Sequence, residues 1–484
     1  MTGTKNKLIK IVWFTLLASM FWGGLAQLDP LGAKSAASFH SESLFLRFIG
    51  GPWYRSDAQG KITVVLIDDS YLEQIGSHWP MSYLDQDLLL NDILDYEPNS
   101  LFLDLLYRHK HGSDDELKQL VDTMANASTS TSSKRKIPVF IPYLINDAEG
   151  LDTCLPGVHS KAQIVQANSV IPEMQISSIK KTYIGWKGCG DRYPSNILGI
   201  KVLRTPAFAL YEEYNKQTGS MAAKQSSSES DFRDPMMIHW GTGVSQSHKS
   251  ALEIGGITCR SIDKDNSIDK LKYSVAQISD AFLNSLSGSA ERGWYERCTY
   301  TDTIHATWFL GSSPENRKFL ESMIKDRIVL VGTQVDGVPD TILSPVNGKI
   351  PGVYLFAMAL DNYLEYGPEY YHHIGTVQKV AMEIGLIWII SLFVGILNEL
   401  TATRQLNRIG KDVAGVKLGL IIFKGIFILI LSLTGALLSW TFLKYAPMDW
   451  ISVFFLSNIA AIINQNLYQN KWRGISFQSP IENA

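Results

Sequence analysis

Four apolar runs, gathered at the two ends of a 484-residue chain, constrain the fold more than any other feature of this sequence. They are Ile11 to Leu28, about Val380 to Leu397, about Leu418 to Leu443, and Trp450 to Leu467. Each approaches the length of about 20 residues that a helix needs to cross a bilayer core. The first run is uncharged, while Glu383 and Lys424 fall inside the second and third. Charges within a span are costly, so Glu383 is expected near the outer end of its helix and Lys424 near the inner end, each reaching its nearest interface. The sequence between the first and second runs has ordinary globular composition.

Basic residues orient the spans. Lys5, Lys7 and Lys10 precede the first run, Arg404, Arg408, Lys411 and Lys417 lie between the second and third, and Lys471 and Arg473 follow the fourth. The turn "KYAPMD" carries a single Lys. Because such clusters stay in the cytoplasm, the globular part is placed outside, which in a Gram-negative bacterium is the periplasm. The implied protein is a multi-pass inner-membrane protein in contact with the lipid bilayer, with both termini cytoplasmic. The first run, followed by "GGLAQ", also fits a signal peptide cleaved after Ala26. Its length and the bulky Trp13 and Trp22 favour an uncleaved anchor, and either reading exports the globular part.

A net charge of -3 argues against a nucleic-acid partner, which would call for a basic face. All four cysteines, Cys154, Cys189, Cys259 and Cys298, lie in the exported part, where disulfides form. Three connectivities are open. Sequential pairing, Cys154 with Cys189 and Cys259 with Cys298, closes the shortest loops, each worth about 3–4 kcal/mol in the chain-entropy treatment.

Strand and helix patterns alternate through the exported region. "KITVVLIDDS" reads as a buried strand ending at Asp68 and Asp69, and "DLLLNDILDY" as a helix. "NSLFLDLLY" is a second strand with Asp104 near its end, followed by "SDDELKQLVDTM", a helix capped by Ser113 with Glu116 in the capping-box position. "IPVFIPY", "PMMIHWG" and "DRIVLVG" supply further strands. Two polar tracts, "ANASTSTSSKRK" and "NKQTGSMAAKQSSSESDFR", read as loops, and Asp147 to Ile200 as a loop-rich elaboration. The expected fold is an α/β exported domain with a mostly parallel sheet, plus an α-helical membrane domain of one N-terminal and three C-terminal transmembrane helices. The corresponding boundaries are 1–29, 30–375, 376–470 and a cytoplasmic tail at 471–484.

"VVLIDDSYLEQIG", "LFLDLLY" and "IVLVGTQVDGVPDTILSPVNGKIPGVYLFAMALDNYL" occur in that order. Together they resemble the second type of the CHASE family, an extracytoplasmic sensory domain of bacterial receptors, over about residues 40 to 370. The chain has "WPM" and "LFA" where family members usually have "WPW" and "HA". The resemblance implies a sensory domain followed by three transmembrane helices, and a FecR-like periplasmic protein as a partner.

The best site candidates are acidic residues at strand ends: Asp68, Asp69, Asp104, Asp336 and Asp340. The carboxyl edge of a parallel sheet is where such folds bind ligands. Asp68, Asp104 and Asp340 are expected to line one cleft, with their repulsion relieved by a cation, a basic side chain or raised pKa values. They suit a hard cation such as Ca²⁺ or Mg²⁺, or a polar ligand. Capping by Asp69 and loop-ordering by Asp340 are the structural alternatives. His78, Trp79 and Trp240 fit packing better than a ligand cage.

No phosphate-binding loop, nucleophile elbow or zinc-protease helix occurs, so neither an enzyme nor a cofactor is expected. The inner segments are too short for an output domain. The leading reading is a sensory or signal-relay protein that binds a ligand or partner and signals to a separate polypeptide. A structural subunit of a cell-envelope complex, using the domain as a docking surface, is the alternative, and an exported hydrolase the third reading. A homo-oligomer is left open.

Overall fold

The run Ile62–Asp68 is buried along nearly its whole length and forms β1. In this computed structural model the described residues are 2–27, 40–107, 109–129, 135–143, 171–174, 176, 178–183, 204–219, 232, 236–254, 259, 262–263, 266–276, 298–311, 313–373, 375–406 and 413–459. The remaining strands are β2 (Ser100–Leu103), β3 (Val139–Tyr143), β4 (Lys180–Tyr183), β5 (Gly243–Val244), β6 (Ile262–Asp263), β7 (Asp302–His305), β8 (Ile328–Gln334), β9 (Thr341–Ser344) and β10 (Gly348–Pro351). Six of them make one sheet in the order β4-β3-β2-β8-β1-β7. Every ladder in it is parallel. β9 and β10 form an antiparallel hairpin and β5 pairs with β6.

Helices cover both faces of the sheet, as an all-parallel sheet requires. After α1 (Thr2–Gln27) they are α2 (Asp69–Gln74), α3 (Tyr83–Leu94), α4 (Asp114–Ser128), α5 (Pro206–Thr218), α6 (Gln246–Ile254), α7 (Pro314–Ile324) and α8 (Val353–Tyr366). Ser113 caps α4, its hydroxyl accepting the Glu116 N–H at 3.3 Å. Strand alternation sends Val65, Ile67, Leu101, Leu103, Val329 and Val331 to one face, where they form a core with side chains of α3, α4 and α7. On the other face α8 packs on β1, β8 and α5, and Phe102 meets Phe356 edge-to-face at 5.5 Å. The result is a three-layer α/β/α sandwich.

One expected strand is absent. Of the stretch "PMMIHWG" at 235–241, the described residues 236–241 are buried but make only an isolated bridge, Met236 to His372, and Thr242 follows them. Their backbone groups bond instead to Tyr371, Asn362 and Gly51. β4, β5, β6, β7, β9 and β10 were not among the expected strands.

The chain divides into two compact units, Leu46–His372, and Met1–Phe45 with His373–Ala484. The second contains α1, α9 (Thr376–Leu406), α10 (Val413–Leu443) and α11 (Trp450–Ile459). Within it α1 lies along α9, Phe393 stacks on Phe427 of α10 at 5.0 Å, and Val453 of α11 joins Ile387, Ile390, Val394 and Ile428. Two helices are long and apolar enough to cross a membrane, Val377–Leu397 and Ile422–Leu443. Ile11–Phe21 and Trp450–Ile459 are shorter apolar stretches among the described residues, and 460–467 lie outside them. Glu383, in the second turn of α9, is 4% exposed.

Cys259 and Cys298 are joined by a disulfide, with a Cα–Cα distance of 5.1 Å. Cys154 and Cys189 lie outside the described residues, as do most of the polar tracts and of Asp147 to Ile200.

Candidate functional site at the carboxyl edge

The sheet order decides which acidic residues meet. β8 is inserted between β1 and β2, so the ends of these strands are two ladder spacings apart, roughly 10 Å. Asp68, Asp69, Asp104, Asp336 and Asp340 all follow or end strands on the carboxyl edge, but they form two groups.

The first group sits at the β1–β7 boundary. Asp68 caps α2, accepting the Tyr71 N–H at 2.8 Å. Its Oδ2 accepts a hydrogen bond from His305 Nδ1, at the end of β7, at 2.5 Å. Burial alone would raise this carboxyl, but the bonds from His305 and Tyr71 and the His305 charge outweigh it and hold Asp68 below the usual range. Asp69, not the capping residue itself, accepts the Asp336 N–H at 3.0 Å and so ties the loop after β8 to the start of α2. The Asp336 side chain is exposed.

The second group sits where β2 and β8 end. The Asp104 N–H donates to Val331 O at 2.8 Å, extending the ladder by one bond. Protein surrounds its carboxyl on nearly all sides, although the residue as a whole keeps some exposure. Burial first, and the Asp340 charge second, push the Asp104 carboxyl well above the carboxylate range. Asp340 is raised as well, by burial, with the Thr333 hydroxyl at 3.5 Å partly offsetting it. Asp340 also orders its loop, since its carbonyl accepts the Gly352 N–H at 3.1 Å. A Cβ on Gly352 would lie 2.3 Å from Asp340 Oδ1, so only glycine lets this carboxyl sit against the start of α8.

A histidine thus engages Asp68, while the pKa values of Asp104 and Asp340 are both raised, chiefly by burial. Among the described residues no three His, Cys, Asp or Glu side chains converge as metal ligands. Asp104 and Asp340 instead suit a group that donates hydrogen bonds to both, such as an amine or hydroxyl. A separate cavity of about 10 Å³ in the core between the sheet and α3 and α4, lined by Ile67, Leu90, Leu103, Tyr107 and Val331 among others, has room for about one water.

His305 was not legible as a site residue, because its partner Asp68 is distant in sequence. His78 is exposed, Trp79 packs against the core, and Trp240 is buried beside Gly51. Ser245, His248 and Asp302 have the composition of a hydrolase triad without its geometry. Ser245 donates directly to Asp302, and the buried His248 Nδ1 has no hydrogen-bond partner.

A three-layer parallel α/β domain is thus continuous in sequence with two helices long and apolar enough to cross a membrane. The chain belongs to the CHASE2 domain family, whose model matches residues 16–397. This is an extracytoplasmic sensory domain, and the match extends beyond the stretch of resemblance into α1 and α9. No curated protein and no solved structure matches the chain.

Proposed function

We propose that this is an inner-membrane sensory or signal-relay protein. Its CHASE2 domain receives a ligand or partner at the Asp104–Asp340 crevice, and the change passes through α8 to the membrane helices and on to a separate polypeptide. The observation that carries this reading is the unbroken path in the chain: β8 ends beside Asp104, the loop after it carries Asp340, and α8 follows and precedes α9. The ligand would present an amine or hydroxyl donor, free or on a partner side chain.

In this reading α1 and α11 complete a four-helix anchor, with the basic clusters and both termini in the cytoplasm. The packing of α1 along α9 supports an uncleaved first helix. A FecR-like periplasmic protein fits as partner by family resemblance, and the domain itself is assigned no catalytic step.

Purification of the full chain from native membranes is expected to recover a separate polypeptide whose association changes in Asp104→Asn. A stoichiometric envelope complex indifferent to that substitution would make the domain a docking surface instead.

A further inference from the structure

Two points in the chain connect the CHASE2 domain to the other unit, after Phe45 and after His372. Inside the domain, the residues next to both points meet in one buried polar network. Tyr54 donates its phenol proton to Asp361 of α8. Asn362 Nδ2 donates to the Tyr54 oxygen at 3.1 Å and to the His239 carbonyl at 3.1 Å, while its Oδ1 accepts the His239 N–H at 2.7 Å. The His239 ring then bridges the Gly50 carbonyl at 3.0 Å and the Tyr366 hydroxyl at 3.2 Å. Two residues before it, the Met237 N–H donates to the Tyr371 carbonyl at 2.8 Å. Packing here is tight: a Cβ on Gly241 would lie 2.3 Å from the Tyr300 ring and 2.7 Å from the Tyr54 ring.

Asp361 is the ionisable centre of this network. It is 1% exposed, and its Oδ2 has no hydrogen-bond partner. The groups that face it are Tyr54 and Ser56 from the segment ahead of β1, Tyr300 from the segment ahead of β7, and Glu365 and Tyr366 from its own helix. Lys61 acts on it only through space and lies over the Tyr214 ring at 5.7 Å. A carboxylate here would therefore be a buried anion with no cation bound to it.

We propose that Asp361 is a proton-binding site: a proton on it holds together the network joining the two membrane-linked ends of the CHASE2 domain, and loss of that proton loosens it. The ligand is the proton itself, and the site is independent of any ligand at the carboxyl edge.

Burial is the main cause of a carboxyl pushed up to about 7, with the bond from Tyr54 and the nearby Ser56 hydroxyl opposing it. His239, by contrast, is driven down to about 3 by burial and stays neutral throughout. Because the folded value lies above the unfolded one, the stabilisation from Asp361 is complete below about 4. It is lost as pH rises toward about 7. Deprotonation near neutral pH strengthens the bond from Tyr54 but leaves a buried anion with no cation, which destabilises the folded network and favours its opening to water.

The test is infrared titration of the full chain in lipid nanodiscs, with melting temperature followed over the same pH range. The wild type is expected to lose a protonated-carboxyl C=O band near neutral pH that is missing from Asp361→Asn. Its melting temperature should fall as pH rises, more steeply than that of the variant. Tyr54→Phe, which removes the bond favouring the charged form, is the second variant and should move the titration midpoint upward. Identical titrations in wild type and Asp361→Asn would overturn the proposal. So would an unmoved midpoint in Tyr54→Phe, the deciding result if Asp361→Asn does not fold.

Discussion

Replacing Arg327 by methionine is expected to cost the CHASE2 domain about 3–5 kcal/mol of stability. Arg327, just ahead of β8, donates from Nη1 to Asp302 Oδ2 at 2.7 Å. Asp302 opens β7, and its side chain is fully buried. The hydroxyls of Ser245 and Ser247 also donate to its carboxyl, but neither carries a charge. Methionine preserves much of the arginine stem's packing while leaving the carboxylate buried without its cation. Chemical denaturation of the full chain checks this. A loss below about 1 kcal/mol, as for an exposed ion pair, would contradict it. Adding Asp302→Asn should recover much of the loss, because an amide needs no counter-charge.

Phe102→Ala has an expected cost of similar size, about 3–5 kcal/mol. Phe102 is completely buried in the middle of the sheet and its ring meets Phe356 at an interplanar angle of 78°. Truncation would open a cavity between β2 and α8, where the helix start and the sheet are both held by neighbours. The aromatic pairing itself should appear as a coupling of about 0.5–1.5 kcal/mol in a double-mutant cycle with Phe356→Ala. A coupling of zero would mean that α8 does not depend on this contact.

Much of the fold was legible because its central strands are buried on both faces. Ile62–Asp68 and Ile328–Gln334 are nearly continuous apolar runs, which few other structures would tolerate. The caps were equally local, and Ser113 performs the role its spacing implied. β4 and β7 escaped notice because they are short and polar: Lys180, Lys181 and Thr182 in one, Asp302, Thr303 and His305 in the other. Residues 236–242 misled in the opposite direction. They are apolar enough for a strand, but their hydrogen-bond partners, Gly51, Asn362 and Tyr371, come from distant parts of the chain.

The same contrast holds at the candidate site. That Asp68, Asp104 and Asp340 follow or end strands could be read locally. Their division into a His305-bound aspartate and a pair raised chiefly by burial could not, because it depends on β8 entering between β1 and β2. The Asp361 network was hidden for the same reason: Tyr54 and Asp361 are 307 residues apart in sequence.

Hydrogen exchange across α8 in the membrane-embedded full chain, comparing wild type with Asp104→Asn, tests most directly whether the carboxyl-edge crevice communicates with that helix. Asparagine removes the carboxyl that repels Asp340, whose loop holds the first turn of α8 through Gly352. The account predicts slower exchange in Val353–Tyr366, little change in α3, and stability at neutral pH that is kept or increased, since a carboxyl raised by burial weakens the fold as pH rises. Exchange altered only beside Asp104, with stability lowered by about 1 kcal/mol as for a lost cap, would contradict it.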